Sequence, residues 1–295
     1  MKNILYRKDT PYPALEPLER QKVLITGADG WIGRHLVPAL AEKHDLRLMV
    51  IDAEADSAKT IAAYGEIVEC RLEDLDGLRS ITQGIDTVVH LAAVVDYNAA
   101  WKPLLDINII GTYNMVVAAK AADCRRIILA SSVHSVIAYP NDFEVETDMP
   151  IRPGTVYGVT KVFKEALGSY IAVREGLSSI VIRIGGYGDK DRITQNTNPI
   201  PLSFFFSKED MNQLVDLCID DVDLHFAVVN GISDNKHKRL ALVDTREALG
   251  YEPEHDSFAL SEHWDGKAPP ANYHFAQPID PEYSGLRDDL KTPGS

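Results

Sequence analysis

Several common classes of protein are excluded by what this chain has little of. It carries three cysteines, Cys70, Cys124 and Cys218. They are scattered, odd in number and never in Cys-x-x-Cys spacing, so neither a disulfide framework nor a zinc ribbon is expected, and a reducing, cytoplasmic setting is. No metal is expected. No apolar run approaches the length of a bilayer span, so no membrane partner is expected either. Positive charge is scarce: 30 Lys and Arg stand against 44 Asp and Glu, for a net charge of −14. That balance argues against a nucleic-acid partner and leaves an ordinary acidic surface. The first twenty residues mix charges with Pro11, Pro13 and Pro17 and lack the apolar stretch of a signal peptide. They read as an arm over the surface or over a partner subunit, or as a disordered tail.

What the chain does have is a strand-helix alternation. Short apolar runs at 22–26, 46–51, 66–70, 87–91, 126–130 and 179–184 read as strands. Between them, 32–42, 55–64, 75–82, 104–121 and 157–174 have helical spacing. Strands alternating with helices predict an α/β fold, a doubly wound parallel sheet covered on both faces. Beyond Gly185 the pattern loosens. Residues 189–201 read as a loop over a site, 207–220 as a helix capped by Ser207, 226–230 as a strand, and 245–249 as a helix stopped by Gly250. The expected division is an arm (1–20), a dinucleotide-binding Rossmann domain (21–185), a small substrate-binding cap packed on the sheet (186–264) and an irregular tail (265–295). Phe204, Phe205 and Phe206 are expected either to bury the cap against the sheet or to line a pocket or a subunit contact.

The run Thr26-Gly27-Ala28-Asp29-Gly30-Trp31-Ile32-Gly33-Arg34 places Gly-x-x-Gly-x-x-Gly between the first strand and its helix. Gly27 permits the tight turn, Gly30 lets backbone approach a pyrophosphate, and Gly33 lets the helix sit close to the strand. The helix N-terminus offers N–H groups and partial positive charge to phosphates. Trp31 either covers the pyrophosphate or packs on the helix. Asp52 follows the second strand, about 20 residues past the last glycine, where a carboxylate bonds ribose hydroxyls and repels a 2′-phosphate. That favours NAD over NADP. Arg47 lies too early on the strand to hold such a phosphate.

Tyr157 and Lys161 are four residues apart and share one helix face. A lysine cation beside a phenol favours the phenolate, which makes the tyrosine a usable acid and base near neutral pH.

Taken together these pieces resemble the extended short-chain dehydrogenase/reductase family, the epimerase/dehydratase group. The matching motifs are the glycine loop, His90-Leu91-Ala92-Ala93, Asn108-Ile109-Ile110-Gly111-Thr112, Ser131-Ser132, Tyr157-Gly158-Val159-Thr160-Lys161 and Arg183-Ile184-Gly185. Within the group, Ser131-Ser132-Val133-His134, the run from Val228 to Asn235, Thr245-Arg246-Glu247-Ala248-Leu249-Gly250-Tyr251 and the short cap are similar to uronate dehydrogenases. The resemblance implies that Tyr157 removes the substrate hydroxyl proton while NAD accepts hydride from the same carbon. Lys161 holds the nicotinamide ribose and Ser132 bonds the reacting oxygen. Asn108 supports the cofactor region. Ala92 and Ala93 line the adenosine path, with Leu72, Leu91 and Ile32 also on the cofactor, and Ile184 meets the nicotinamide. On the substrate side the implied positions are Val95, Val133, His134, Gly186 and Arg192. His90 reads as structural.

The departures from the resemblance are as informative. Val133, Gly186 and the Val94-Val95 pair stand where those enzymes carry polar residues, so the pocket is expected to suit a less hydroxylated or differently shaped substrate. Arg71 stands where an aspartate usually accepts from the adenine amine. The resulting expectation is an NAD-dependent enzyme that oxidises a hydroxyl of a sugar or sugar acid, working as a homodimer. The alternatives are a nucleotide-sugar epimerase or dehydratase that retains NAD, and a non-catalytic NAD-binding sensor.

Overall fold

The apolar runs become strands of one sheet, and the amphipathic stretches become its covering helices. The computed structural model describes residues 3–272. The chain runs β1 (Ile4–Tyr6), β2 (Lys22–Thr26), α1 (Gly33–Ala41), β3 (Asp45–Val50), α2 (Asp56–Lys59), β4 (Glu66–Glu69), α3 (Leu75–Thr82) and β5 (Thr87–His90). It continues through α4 (Trp101–Pro103), a π-helical stretch (Leu104–Gly111), α5 (Thr112–Ala121), β6 (Arg126–Ser132), α6 (Val156–Tyr170) and β7 (Ser178–Ile184). The remainder is β8 (Gly186–Gly188), α7 (Lys190–Thr194), α8 (Pro199–Ser203), β9 (Phe205–Ser207), α9 (Lys208–Asp220), β10 (Leu224–Gly231), α10 (Val243–Leu249) and α11 (Ser257–Leu260).

Eight strands form the main sheet in the order β1-β10-β7-β6-β5-β2-β3-β4. Every pairing is parallel except β1 with β10. From β2 the chain winds outward through β3 to β4, then returns to lay β5 on the other side of β2. That reversal leaves a crevice beyond the carboxyl ends of β2 and β5, the place where open α/β sheets bind ligands.

Side chains alternate across the sheet with a period of two. Val23 and Ile25 enter one core with Leu36, Val37 and Leu40 of α1 and Met211, Leu214 and Val215 of α9. Leu24 enters the other with Leu78 of α3 and Met115, Val116 and Ala119 of α5. Both faces are buried, as a doubly wound sheet requires.

Three segments differ from expectation. Residues 189–201, expected as a loop, hold α7 and α8, helices too short for apolar periodicity to register. The segment 186–264 is divided: β10 belongs to the main sheet, while β8 and β9 pair separately above it. The arm supplies β1, paired through Ile4 with Ala227 and Leu5 with Phe226, so it covers the sheet edge that β10 would otherwise expose. Ser207 caps α9 by accepting from Asp210 N–H, and Gly250 ends α10 at φ 65°. Phe205 and Phe206 are buried. The expected tail lies outside the described residues beyond 272.

Candidate active site

A cleft of about 340 Å³ opens beyond the carboxyl ends of β2, β5, β6 and β7. Its floor is the glycine loop, whose shape follows from two of its residues. Gly27 has φ +65°, and a Cβ there would meet the Ala92 backbone at 3.0 Å. A Cβ on Gly33 would meet the Ala28 carbonyl oxygen at 2.3 Å, so α1 can start this close to β2 only at glycine. No side chain caps the N-terminus of α1, which leaves that end to a ligand. Beneath the loop, Thr26 Oγ1 lies 2.8 Å from His90 Nδ1, and His90 Nε2 lies 3.2 Å from Thr112 Oγ1. Burial, with Lys164 and Lys161 nearby, holds the His90 imidazole well below its ordinary pKa. It is a neutral strut between β2, β5 and α5.

The second wall is α6. Thr155 caps it by accepting from Gly158 N–H. Tyr157 and Lys161 then fall on one face, with the Lys161 ammonium 5.1 Å from the centre of the Tyr157 ring. Lys161 Nζ donates to the Ala130 carbonyl at 3.0 Å, which anchors the cation at the end of β6. Asn108, fully buried in the π-helical stretch, accepts from Val94 N–H and donates to the Val94 carbonyl and to Thr160 Oγ1. It ties the strand-end loop after β5 to the helix that carries Tyr157. The π geometry aims Asn108 inward, a use of such turns common near functional sites.

A buried network fixes α6 against the sheet. Arg183 of β7 donates to both oxygens of Glu165, at 3.0 and 2.9 Å, and Ser131 Oγ donates to Glu165 Oε1 at 2.8 Å. Bidentate geometry and the extra hydroxyl compensate the desolvation of both charges. Lys164, one turn beyond Lys161, is wholly buried, and its Nζ has no hydrogen-bond partner. Burial and the neighbouring Lys161 charge favour its neutral amine.

Of the expected site residues, Gly27, Gly30, Trp31, Ile32, Gly33, Leu91, Ala92, Ala93, Val95, Ser132, Tyr157, Lys161 and Ile184 all line this cleft. Others do not. Asp52 is exposed beyond β3, with Oδ1 accepting from Glu54 N–H. Leu72 is buried in the core under α5, and Val133 is buried in the core on the other face of the sheet. Gly186 lies under the Phe204 ring, and Arg192 is exposed on α7. His134 sits at the rim, stacked on Tyr97 at 5.8 Å and edge-on to Tyr157 at 5.4 Å. Burial and the Lys161 charge push its pKa down to about 4. Ser132 Oγ accepts from His134 N–H.

Sequence reasoning missed Tyr187. It lines the cleft opposite Trp31, ring centres 6.5 Å apart. Its Oη is buried without a hydrogen-bond partner, and burial together with Asp189 and Glu209 raises its pKa, so it stays a hydroxyl donor. The only signal was the Gly185-Gly186 pair ending β7, which turns the chain over the cleft.

A family model described as the NAD dependent epimerase/dehydratase family matches residues 23–198. The chain belongs to that family. L-arabinose 1-dehydrogenase (NAD(P)(+)) of Haloferax volcanii is 33% identical over 263 residues, covering 82% of this chain and 99% of the relative. NAD-dependent glucose-6-phosphate dehydrogenase of the same organism is 31% identical over 257 residues, covering 80% and 94%. Among solved structures, uronate dehydrogenase from Agrobacterium tumefaciens superposes with TM-score 0.74 at 29% identity, covering 87% of this chain and 93% of that one. The expected doubly wound fold and family are therefore those of the molecule. NAD, the family's cofactor, fits the residues present. The glycine loop leaves room where any Cβ would intrude, and the orphaned Tyr187 hydroxyl lies across from that loop.

Proposed function

We propose that this protein is an NAD-dependent dehydrogenase that oxidises a hydroxyl of a free sugar or sugar acid. The observation that carries the reading is the convergence of Ser132, Tyr157 and Lys161 on the same cleft as the glycine loop. The names of the similar enzymes, which act on arabinose, uronates and glucose 6-phosphate, support the substrate class.

Gly27, Gly30, Gly33 and the start of α1 would hold the pyrophosphate of NAD, with Tyr187 donating to it. Asp52 would meet the adenosine ribose at the edge of the site. When bound, NAD supplies a hydride acceptor for the substrate carbon. The rest of the chemistry belongs to side chains. Ser132 Oγ would donate to the reacting oxygen and orient it. The Tyr157 oxygen would act as the base that takes the proton from the substrate hydroxyl as the carbonyl forms. Lys161, pinned by the Ala130 carbonyl, would keep positive charge beside that oxygen and bond the ribose. His134, neutral near pH 7, would face the sugar as a hydrogen-bonding group without adding charge.

Two wider properties belong to the same reading. Ile110, Tyr113, Val159, Tyr170 and Val173 are each between 44% and 55% exposed on the π-helical stretch, on α5 and along α6 into the turn after it. We infer a homodimer across this face, since exposed apolar side chains gathered on two helices suit a self-complementary contact. No helix among the described residues is long and apolar enough to cross a membrane. The three cysteines are free and buried, which supports placement in a reducing cytoplasm.

The test is to offer free aldoses, aldose phosphates, uronates and UDP-sugars with NAD and to follow NADH. Net NADH with a free sugar or uronate is the expected result. Turnover of a UDP-sugar without net NADH would overturn the reading.

A further inference from the structure

The cleft occupies the carboxyl ends of the strands. A second cluster lies at their opposite ends, where α1 turns into β3 and α9 approaches β10. We propose that His44, Asp216 and Asp220 bind a first-row divalent cation of the zinc class there.

His44 is held in the turn by its N–H donating to the Leu40 carbonyl at 2.9 Å. Asp216 and Asp220 are four residues apart on α9 and so share a face. His44 Nε2 lies 3.4 Å from Asp216 Oδ1 and 3.8 Å from Asp220 Oδ1, and one ligand atom from each residue lies within 4.8 Å of the other two. Bonds of about 2.0–2.2 Å to a tetrahedral zinc would set ligand atoms roughly 3.3–3.6 Å apart. The two distances from His44 are close to that spacing before any ion draws the ligands in, and the two carboxylates lie within 4.8 Å of each other.

An independent observation separates this cluster from an ordinary acidic patch. His44 is 2% exposed, and neither of its ring nitrogens has a hydrogen-bond partner. Its Nε2 faces Asp216 Oδ1 at 3.4 Å, an ion pair when the imidazole is protonated but longer than a normal charge-assisted hydrogen bond, and neither atom makes a shorter one. Buried polar atoms are rarely left so, because water is lost and nothing replaces it. A cation between them would satisfy both atoms at once. The Lys43 ammonium takes the other oxygen, Asp216 Oδ2, and so orients the carboxylate toward His44. Asp220 is 49% exposed, which gives the ion a path in and leaves room for water in its remaining positions. One imidazole with two carboxylates suits zinc, cobalt or nickel better than magnesium or calcium. The bound ion would clamp α1 to α9 across the core they share, away from the chemistry.

The test uses the full chain stripped of metal with a chelator, titrated with zinc chloride by calorimetry and with cobalt chloride by absorption. The expected result is one saturable equivalent with micromolar affinity, a melting temperature raised by zinc, and no thiolate charge-transfer band with cobalt. D220N changes only a half-exposed side chain and should weaken binding at least about tenfold; H44Q should abolish it. The proposal is overturned by an absence of saturable binding, by an affinity unchanged in D220N, or by a thiolate band that assigns the metal to the cysteines.

Discussion

The two sides of the cleft are built differently. On the cofactor side every shape-setting residue is backed by the fold: glycines pressed against carbonyls, His90 strutted between Thr26 and Thr112, Asn108 bridging a loop to α6, and Lys161 anchored on β6. At the rim, Val95 is 70% exposed and Tyr97 is 54% exposed, both on the loop after β5. The difference follows from what each side must do. A cofactor of fixed shape rewards a rigid cradle, whereas the rim sits on loops, where substrate preference can vary without disturbing the sheet.

If that contrast is right, substitutions should fall in a definite order. Tyr157→Phe should have the largest effect, lowering kcat by about 10²–10⁴ while leaving NAD affinity near wild type, since general acid–base groups contribute on that scale. Steady-state NADH formation with a parallel NAD titration reads both. Next comes Glu165→Gln. It leaves the buried Arg183 guanidinium without its counter-charge, donating only to the Thr147 carbonyl and the new amide oxygen, and should cost about 3–5 kcal/mol of stability, read from denaturant unfolding. Gly33→Ala should weaken NAD by tenfold or more, because the new Cβ is driven into the Ala28 carbonyl; calorimetry would detect it. Tyr187→Phe removes one donor and should weaken NAD by up to about tenfold with kcat little changed, the worth of a single net hydrogen bond.

The contrast also has a pH signature. The folded state holds the His134 pKa down at about 4, while an unfolded histidine titrates near 6.5. Between those values the unfolded chain binds a proton that the folded chain refuses, so this contribution to stability is complete above about pH 6.5 and is lost as pH falls toward 4. Urea unfolding across that window should show a shallower acid limb in His134→Asn. Arg192→Ala should have the smallest effect, within about twofold on turnover of any sugar, because Arg192 does not line the cleft. A large rise in KM confined to uronates would instead assign it to the substrate carboxylate and break the comparison.

The rigid side was also the legible one in the sequence. Spacing alone located the glycine loop, the shared face of Tyr157 and Lys161, the Ser207 cap and the stop at Gly250, because each rests on local stereochemistry. Leu75–Thr82 forms a helix over the span its pattern predicts. The rim was not legible. Val133 looks like a pocket residue from its place beside Ser132, yet β6 continues through Ser132 and turns the next side chain into the core. Tyr187 carries no periodicity, and its role depends on how Gly185 and Gly186 bend over the cleft. The strands β1, β8 and β9 have three residues each and exist only through their partners. The helix expected over 104–121 begins as a π-helix, which a 3.6-residue period cannot distinguish.

The central claim is that Tyr157 takes a proton from a sugar hydroxyl beside NAD held on the glycine loop. It is tested most directly by mixing excess enzyme and NAD with the best free sugar and recording the single-turnover formation of NADH, in wild type and in Tyr157→Phe. The account predicts stoichiometric NADH in the wild type and a slowed phase of the same NAD occupancy in the variant. Equal rates in the two proteins would contradict it.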